Sequence, residues 1–433
     1  MSEITAGILA CFIMLLIFLT GFELAFGMAL VGFVGFAYLV SFSAASNLLV
    51  KDFFDTFTSY GYSVIPMFVL MGQIAAQSDI ARRLYMATHK FVGHIPGGLA
   101  MTTVGGAAMF KSVCGSTLAT AAAFAGIAIP EMDRYGYDKR LSTGVVASVG
   151  TLGVLIPPSI VLIIYAIIVE ESVGKMFLAG IVPAIIIAAL FLVVIYGWVK
   201  INPAIAPGAE PAPWSERLRA IPEFIAVAVI FLIIIGGMMG GIFSPTEAGS
   251  IGTLAILILA AGRKELTFKK VVAAVIESLK TSCMVITLIA GSIVLGHFLA
   301  VSEITFKAAD WAIGLPFHPY VVMIIIIIIY LIGGSFIDDL AFLILATPIF
   351  YPAVIKLGFD PIWFGIVLLI TIMIGVIIPP VAMCVFVVKG ITGVPIGIIY
   401  RGALPFILSL VACLVLLFIF PSLAYWLPNL LMK

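Results

Sequence analysis

The sequence predicts an all-α polytopic membrane protein made of two inverted repeats. Each repeat has five spans, a re-entrant hairpin and a helix broken at a Pro-Pro pair. Three observations carry this reading. Hydrophobic residues make up 63% of the 433 positions and charged residues 10%, far from the roughly 45–50% and 25% of soluble domains. Apolar runs of about 20 residues recur along the chain, the length a helix needs to cross a bilayer core. An Ile-Pro-Pro signature occurs twice, 222 residues apart: Ile156-Pro157-Pro158 after Gly153, and Ile378-Pro379-Pro380 after Gly375. Pro130 and Pro352, Gly136 and Gly358, Asp138 and Asp360, Gly180 and Gly402, and Pro183 and Pro405 share that spacing.

The first repeat covers 1–199, with spans at about 4–20, 24–42, 62–78, 141–168 and 176–199. A linker rich in Pro and Ala follows at 200–221. The second repeat covers 222–433, with spans at about 222–241, 246–262, 281–300, 361–388 and 396–421. An odd number of spans sends the second repeat into the membrane with the opposite orientation. Weaker matches extend the repeat at a spacing of 224: Glu23 with Glu247, Gly72 with Gly296, Ser78 with Ser302. Inverted repeats with breaks at membrane depth are the architecture of many secondary transporters.

Two stretches remain, 96–130 and 319–352, each with a polar, Gly-rich centre. The first centre reads Lys111-Ser112-Val113-Cys114-Gly115-Ser116-Thr117, the second Gly333-Gly334-Ser335-Phe336-Ile337-Asp338-Asp339. Limbs of about 15–19 residues span roughly 22–28 Å at 1.5 Å per residue, short for a core of about 30 Å. Length therefore favours hairpins with buried tips over paired spans joined by tight turns. The broken helices lie at 141–168 and 361–388.

Charge fixes orientation. Sixteen of the 22 lysines and arginines fall on one side, five on the other, and Lys111 lies at membrane depth. The positive-inside rule makes the richer side cytoplasmic and puts both termini outside. The tally is silent on re-entrancy, because two spans return to the same side as a hairpin does. The first hairpin is expected to open from the cytoplasm and the second from outside. With Glu3 and no basic region, the N-terminus reads as lacking a cleaved signal peptide. No basic patch suggests nucleic acid, and the lipid bilayer is the expected solvent. Five cysteines lie scattered without metal-ligand spacing.

The breaks carry the chemistry. Proline lacks an N–H, so Pro157 and Pro158 free the carbonyls of Gly153 and Val154, and Pro379 and Pro380 free those of Gly375 and Val376. A free carbonyl at membrane depth needs a partner. An alkali cation is one candidate; a kink satisfied by Ser or Thr side chains or by water is the other. Repetition opposite polar tips favours ion sites. Glycine at 153 and 375 admits close backbone approach. Thr151 and Thr371 add oxygens. Ser112, Ser116 and Thr117 offer hydroxyls in the first tip; Ser335, Asp338 and Asp339 offer a hydroxyl and carboxylates in the second. The limb after each tip starts a helix whose amides favour an anion, while the preceding limb ends in carbonyls that favour a cation. One tip can thus serve an anionic substrate and Na⁺ together. Asp338 and Asp339 read as one cation ligand and one helix cap, or as simple caps. Lys111 can attract an anion, snorkel or pair with a carboxylate. His297 is read as a packed neutral histidine.

Enzymatic function is not expected. The adjacent aspartates lie roughly 100° apart on a helix, so they form no facing dyad for an intramembrane hydrolase, and no Ser-His or His-Glu-x-x-His arrangement occurs.

The motifs resemble the large membrane (DctM-like) subunit of tripartite ATP-independent periplasmic (TRAP) transporters over nearly the whole chain. The strongest pieces are Gly115-Ser116-Thr117-Leu118-Ala119-Thr120, Ile129-Pro130-Glu131-Met132, Gly136-Tyr137-Asp138, both Ile-Pro-Pro segments and Ser244-Pro245-Thr246-Glu247-Ala248. The resemblance implies the ion-transporter superfamily and an elevator mechanism, with a mobile domain of hairpins and broken helices on a scaffold. It implies a bacterial inner-membrane protein with both termini periplasmic, and Na⁺-driven import of a small organic anion. That anion is usually a carboxylate such as sialic acid or a dicarboxylate. A soluble periplasmic binding protein and a small four-helix membrane subunit are the implied partners. One departure stands out: the family's first tip reads Ser-Gly-Ser, whereas Cys114-Gly115-Ser116 stands here with Lys111 nearby, which leaves an organic sulfonate open. A self-sufficient sodium-coupled anion carrier or ion exchanger is the alternative.

On this reading one Na⁺ lies between Ser112, Gly115 and Ser116 and the break at Gly150, Thr151, Gly153 and Val154. A second lies between Gly334, Ser335 and Asp338 and the break at Thr371, Gly375 and Val376. The anion sits between the tips, near Ser116, Thr117, Asp339, Pro158 and Ser159, with Lys111 as a further candidate.

Overall fold

The computed structural model describes residues 2–314 and 316–432; Lys433, counted above among the sparser charges, lies outside them. Among the described residues every regular element is helical. The first half runs α1 (Glu3–Leu19), α2 (Leu24–Leu39), α3 (Phe42–Thr58), α4 (Val64–Gln77), α5 (Ile80–Val92), α6 (Gly98–Lys111), α7 (Thr117–Arg134), α8 (Lys139–Val149), α9 (Ile160–Ile168) and α10 (Val173–Ile201). The second runs α11 (Trp214–Met239), α12 (Pro245–Gly262), α13 (Phe268–Val301), α14 (Ile304–Gly314), α15 (Pro319–Phe336), α16 (Asp339–Lys356), α17 (Pro361–Gly375), α18 (Met383–Thr392), α19 (Ile396–Ile419) and α20 (Ser422–Leu431). Seven of the described helices are long and apolar enough to cross a membrane. The α4–α5 pair, bent by 63° at its break, would make eight as a single span. Large apolar side chains such as Phe12, Leu192 and Leu232 face outward, as lipid-facing helices require. The chain is a multi-pass membrane protein.

Several elements differ from the sequence reading. The linker is shorter, because α11 begins at Trp214 with Pro213 as its N-cap residue. α13 starts at Phe268 rather than near 281, and the Thr267 hydroxyl accepts from Lys270 N at its start. Its first turns carry Lys269, Lys270, Glu277 and Lys280, so an apolar-run reading passes over them. Four shorter helices, α3, α5, α14 and α20, were not expected. α5 buries Ile80, Ala81, Leu84 and Ala87 at helical spacing while Arg82 stays exposed, an amphipathic pattern rather than an apolar run. The bend that separates it from α4 is made by Ser78, whose Oγ donates to the Ala75 carbonyl and accepts from Ile80 N.

The broken helices occupy the centre. Every residue from Leu141 to Leu155 is buried, as is every residue from Ile362 to Ile377. A helix buried on every side has neither a solvent nor a lipid face and sits inside its neighbours. Helix boundaries recur with the motif spacing. α7 and α16 start 222 residues apart, as do α8 and α17, and Asp138 and Asp360 cap α8 and α17 with their side chains. Pro157-Pro158 and Pro379-Pro380 are both cis.

Candidate functional site

Two hairpins, α6–α7 and α15–α16, bring their tips together. Ser116 is the N-cap of α7, its Oγ accepting from Ala119 N at 3.2 Å. Asp338, at the same repeat position, is the N-cap of α16 and accepts from Leu340 N and Ala341 N at 3.1 and 3.3 Å. Both caps face one cavity of about 220 Å³. Gly115, Ser116, Thr117, Asp338 and Asp339 line it from the tips, and α4, α9 and α13 close it with Phe68, Gln73, Ile160, Thr281 and Met284. Two helix N-termini, whose dipoles favour an anion, thus meet at one space, with the Leu340 and Ala341 amides of α16 already taken by the Asp338 carboxylate. Asp339 Oδ1 accepts from Leu340 N at 2.9 Å, and both aspartates are half-buried.

The other expected anion-site residues stand behind the tips rather than in the cavity lining. Pro158 supports the first tip: a Cβ on Gly115 would lie 2.8 Å from its carbonyl oxygen, so only glycine permits this approach. Ser159 is fully buried, and its Oγ donates to the Val154 carbonyl at 2.7 Å. Lys111 is also fully buried, and its Nζ donates to the Ser116 carbonyl at 2.7 Å. A Cβ on Gly153 would overlap the Lys111 side chain from Cδ to Nζ. The lysine therefore neither snorkels nor reaches the cavity; it lies between the first tip and the first break.

Of the four carbonyls released by proline, two are closed. Val154 O takes the Ser159 hydroxyl and Val376 O takes Cys384 N at 3.2 Å. Gly153 O and Gly375 O accept no hydrogen bond among the described residues. At the second break the fit to a cation is good. A Cβ on Gly375 would lie 3.0 Å from the Gly334 carbonyl, and Ser335 O accepts from Val381 N at 3.2 Å, so tip and break touch. Ser335 and Thr371 donate their hydroxyl protons to Ile332 O and Val367 O, which leaves oxygen lone pairs for a cation. Thr151 does the same toward Ser148 O at the first break.

The first break does not fit a second cation. Ser112 turns its hydroxyl to Met109 O and lines a separate apolar cavity beside Ile156 and Pro157. Gly150 packs against Ala121 and Cys384. Between Ser116 and Gly153 stands the Lys111 ammonium. A further unit charge about 4 Å from it would meet a repulsion of about 4 kcal/mol at an effective dielectric constant of 20. Among the described residues no cluster of three His, Cys, Asp or Glu is placed to hold a metal; the oxygens at the tips and breaks are carbonyl, hydroxyl and single carboxylate oxygens.

Sequence reasoning missed Gln73 and Thr281, the polar side chains that α4 and α13 bring to the cavity. An amide midway along the apolar run of α4 was the available signal. His297 differs from expectation: its side chain is 47% exposed, with Nε2 3.5 Å from Asp52 Oδ2.

Fold and site together define a polytopic helical membrane protein whose two hairpins meet at one cavity, lined by polar tip residues and apolar helix faces. The profile of the tripartite ATP-independent periplasmic transporter, DctM component, matches residues 10–423, and the chain belongs to that family. It is 35% identical to the C4-dicarboxylate TRAP transporter large permease protein DctM of Pseudomonas aeruginosa, over 90% of this chain and 91% of that one. It is 30% identical to the isethionate TRAP transporter permease protein DctMQ of Oleidesulfovibrio alaskensis, over 88% of this chain and 61% of that one. The fold is similar to the crystal structure of the YdaH transporter of Alcanivorax borkumensis, with a TM-score of 0.54 and 14% identity over 89% and 88% of the two chains. These relatives are permeases and transporters rather than enzymes.

Proposed function

We propose that this chain is the large permease of a sodium-coupled importer of a small organic anion, working by an elevator movement in the bacterial inner membrane. The observation that carries the reading is the cavity where the N-termini of α7 and α16 converge, lined by Ser116, Thr117 and both aspartates. Its size suits a small molecule, and its hydroxyls and amides suit carboxylate or sulfonate oxygens. Relatives whose names specify C4-dicarboxylate, isethionate and sialic acid support an anionic substrate. Coupling rests on the second tip and break, where Gly375 O, Gly334, Ser335, Thr371 and Asp338 offer oxygens to Na⁺.

The inverted-repeat reading is supported by helix starts that recur at the motif spacing. Re-entrancy of the hairpins is supported by depth: the tips meet Thr281 and Met284, well inside α13, rather than its ends. Both repeats then contribute one hairpin and one broken helix to a moving domain. A periplasmic binding protein and a small four-helix membrane subunit complete the system.

Uptake by the complete complex in proteoliposomes, with labelled C4-dicarboxylate, isethionate and sialic acid as probes, tests this. One of these should accumulate only with an inward Na⁺ gradient and the binding protein present. Accumulation that persists unchanged with K⁺ replacing Na⁺ would remove the coupling claim. Accumulation without the binding protein would favour a self-sufficient carrier.

A further inference from the structure

We infer that the Lys111 ammonium stands in for the metal cation at the first hairpin tip, so that this tip binds no Na⁺ and only the second tip couples to the gradient. The inference rests on the sodium-coupled reading above and narrows it. Lys111 ends α6 and is wholly buried. Its Nζ donates at 2.7 Å to the Ser116 carbonyl, which also accepts from the Thr120 amide and hydroxyl. Gly153, whose carbonyl Pro157 releases, lies against the same ammonium and has no side chain that would displace it. A primary ammonium and an alkali cation carry the same charge and take the same neutral oxygens. The titratable groups around Lys111 are Cys114, Cys384 and Asp339; only Asp339, on the opposite tip, is a carboxyl group. Position 333, where the second repeat aligns with Lys111, holds glycine, so the second tip has no such built-in cation.

A consequence for energetics follows. An ion from solution enters on one side and leaves on the other, and so draws on the sodium gradient. A tethered ammonium travels across and back with its helix on every cycle and draws nothing. The first tip keeps its local geometry and charge, while each cycle moves fewer sodium ions than two equivalent tips would.

The test is binding of ²²Na⁺ to the purified complex of large and small subunits, wild type against Lys111→Ala, with thermal unfolding in Na⁺ and in K⁺ as a second readout. Wild type should bind about one Na⁺ per large subunit, and Thr371→Val at the second break should weaken that binding at least tenfold. Lys111→Ala should bind about one Na⁺ more than wild type and become stabilised by Na⁺ over K⁺ by a larger margin. A gain in Lys111→Ala supports the inference where wild type binds one Na⁺ or none; a wild type that binds none speaks against sodium coupling alone, and one that binds two overturns the inference. A folded Lys111→Ala with no added Na⁺ binding overturns the inference. Should Lys111→Ala fail to fold, wild type decides: two Na⁺ per chain, or binding unchanged by Thr371→Val, overturns it, and one Na⁺ lost with Thr371→Val supports it.

Discussion

Ser159 Oγ donates a 2.7 Å hydrogen bond to the carbonyl oxygen of Val154, closing one of the two acceptors that Pro157 and Pro158 release. The second break reaches the same end differently, with Cys384 N donating to Val376 O. In both halves the valine carbonyl is paired inside the protein and the glycine carbonyl is left over. Ser159→Ala should therefore expose a buried acceptor and remove the cap of α9. A loss of about 1–3 kcal/mol is expected, read by thermal unfolding of the purified complex, with Ser159→Thr retaining most of it. Unchanged stability in Ser159→Ala would show that Val154 O has another partner.

The contact between Lys111 and Gly153 predicts non-additivity. Gly153→Ala places a methyl group where the lysine chain lies, an overpacking that costs about 1–3 kcal/mol. In a Lys111→Ala background that space is open, so the second substitution should cost far less. A double-mutant cycle on unfolding free energies checks this. Costs that simply add would mean that the two residues do not touch.

Glu265 holds the bend between α4 and α5 in place. Its carboxylate accepts from Arg83 Nε at 2.5 Å and from Asp79 N at 3.1 Å, and its side chain is 3% exposed. Glu265→Gln keeps the shape but weakens two charge-assisted bonds, for an expected loss of about 1–3 kcal/mol. Hydrogen exchange should rise first in α5, the helix this residue anchors. Exchange confined to α13 would contradict the assignment.

Asp138 predicts a pH dependence. The Arg140 side chain, followed by its amide and charge, holds this carboxyl below the usual range, against a smaller opposing effect of burial. A depressed folded pKa stabilises above the unfolded value of about 3.9 and loses that contribution as pH falls through the folded value. The stability difference between wild type and Asp138→Asn should be present at neutral pH and shrink on acidification below about 4. A difference that grows toward acid pH would reverse the sign of the linkage.

Much of the site was legible because helix caps leave local marks. Ser116 and Asp338 sit between an apolar limb and a Gly-rich tip, so their positions follow from residue type and spacing alone. Pro157 and Pro379 announce their freed carbonyls in the same way. The direction of Lys111 was not legible: three orientations of a long side chain fit one sequence, and Gly153, forty-two residues on, selects among them by packing. Gln73 and Thr281 share one cavity only because α4 packs on α13, a tertiary fact without a local signature. α3, α5 and the start of α13 carry charges within helical periodicity, which apolar-run length does not detect.

Uptake at equal amounts of folded complex tests the cavity most directly. With Thr117→Val and with Asp339→Asn, both of which line the space between the tips, initial uptake should fall at least tenfold. Ile13→Val, in the apolar cavity between α1 and α2, should leave uptake unchanged. Wild-type uptake in both tip variants would contradict the claim that the anion passes between Ser116 and Asp338.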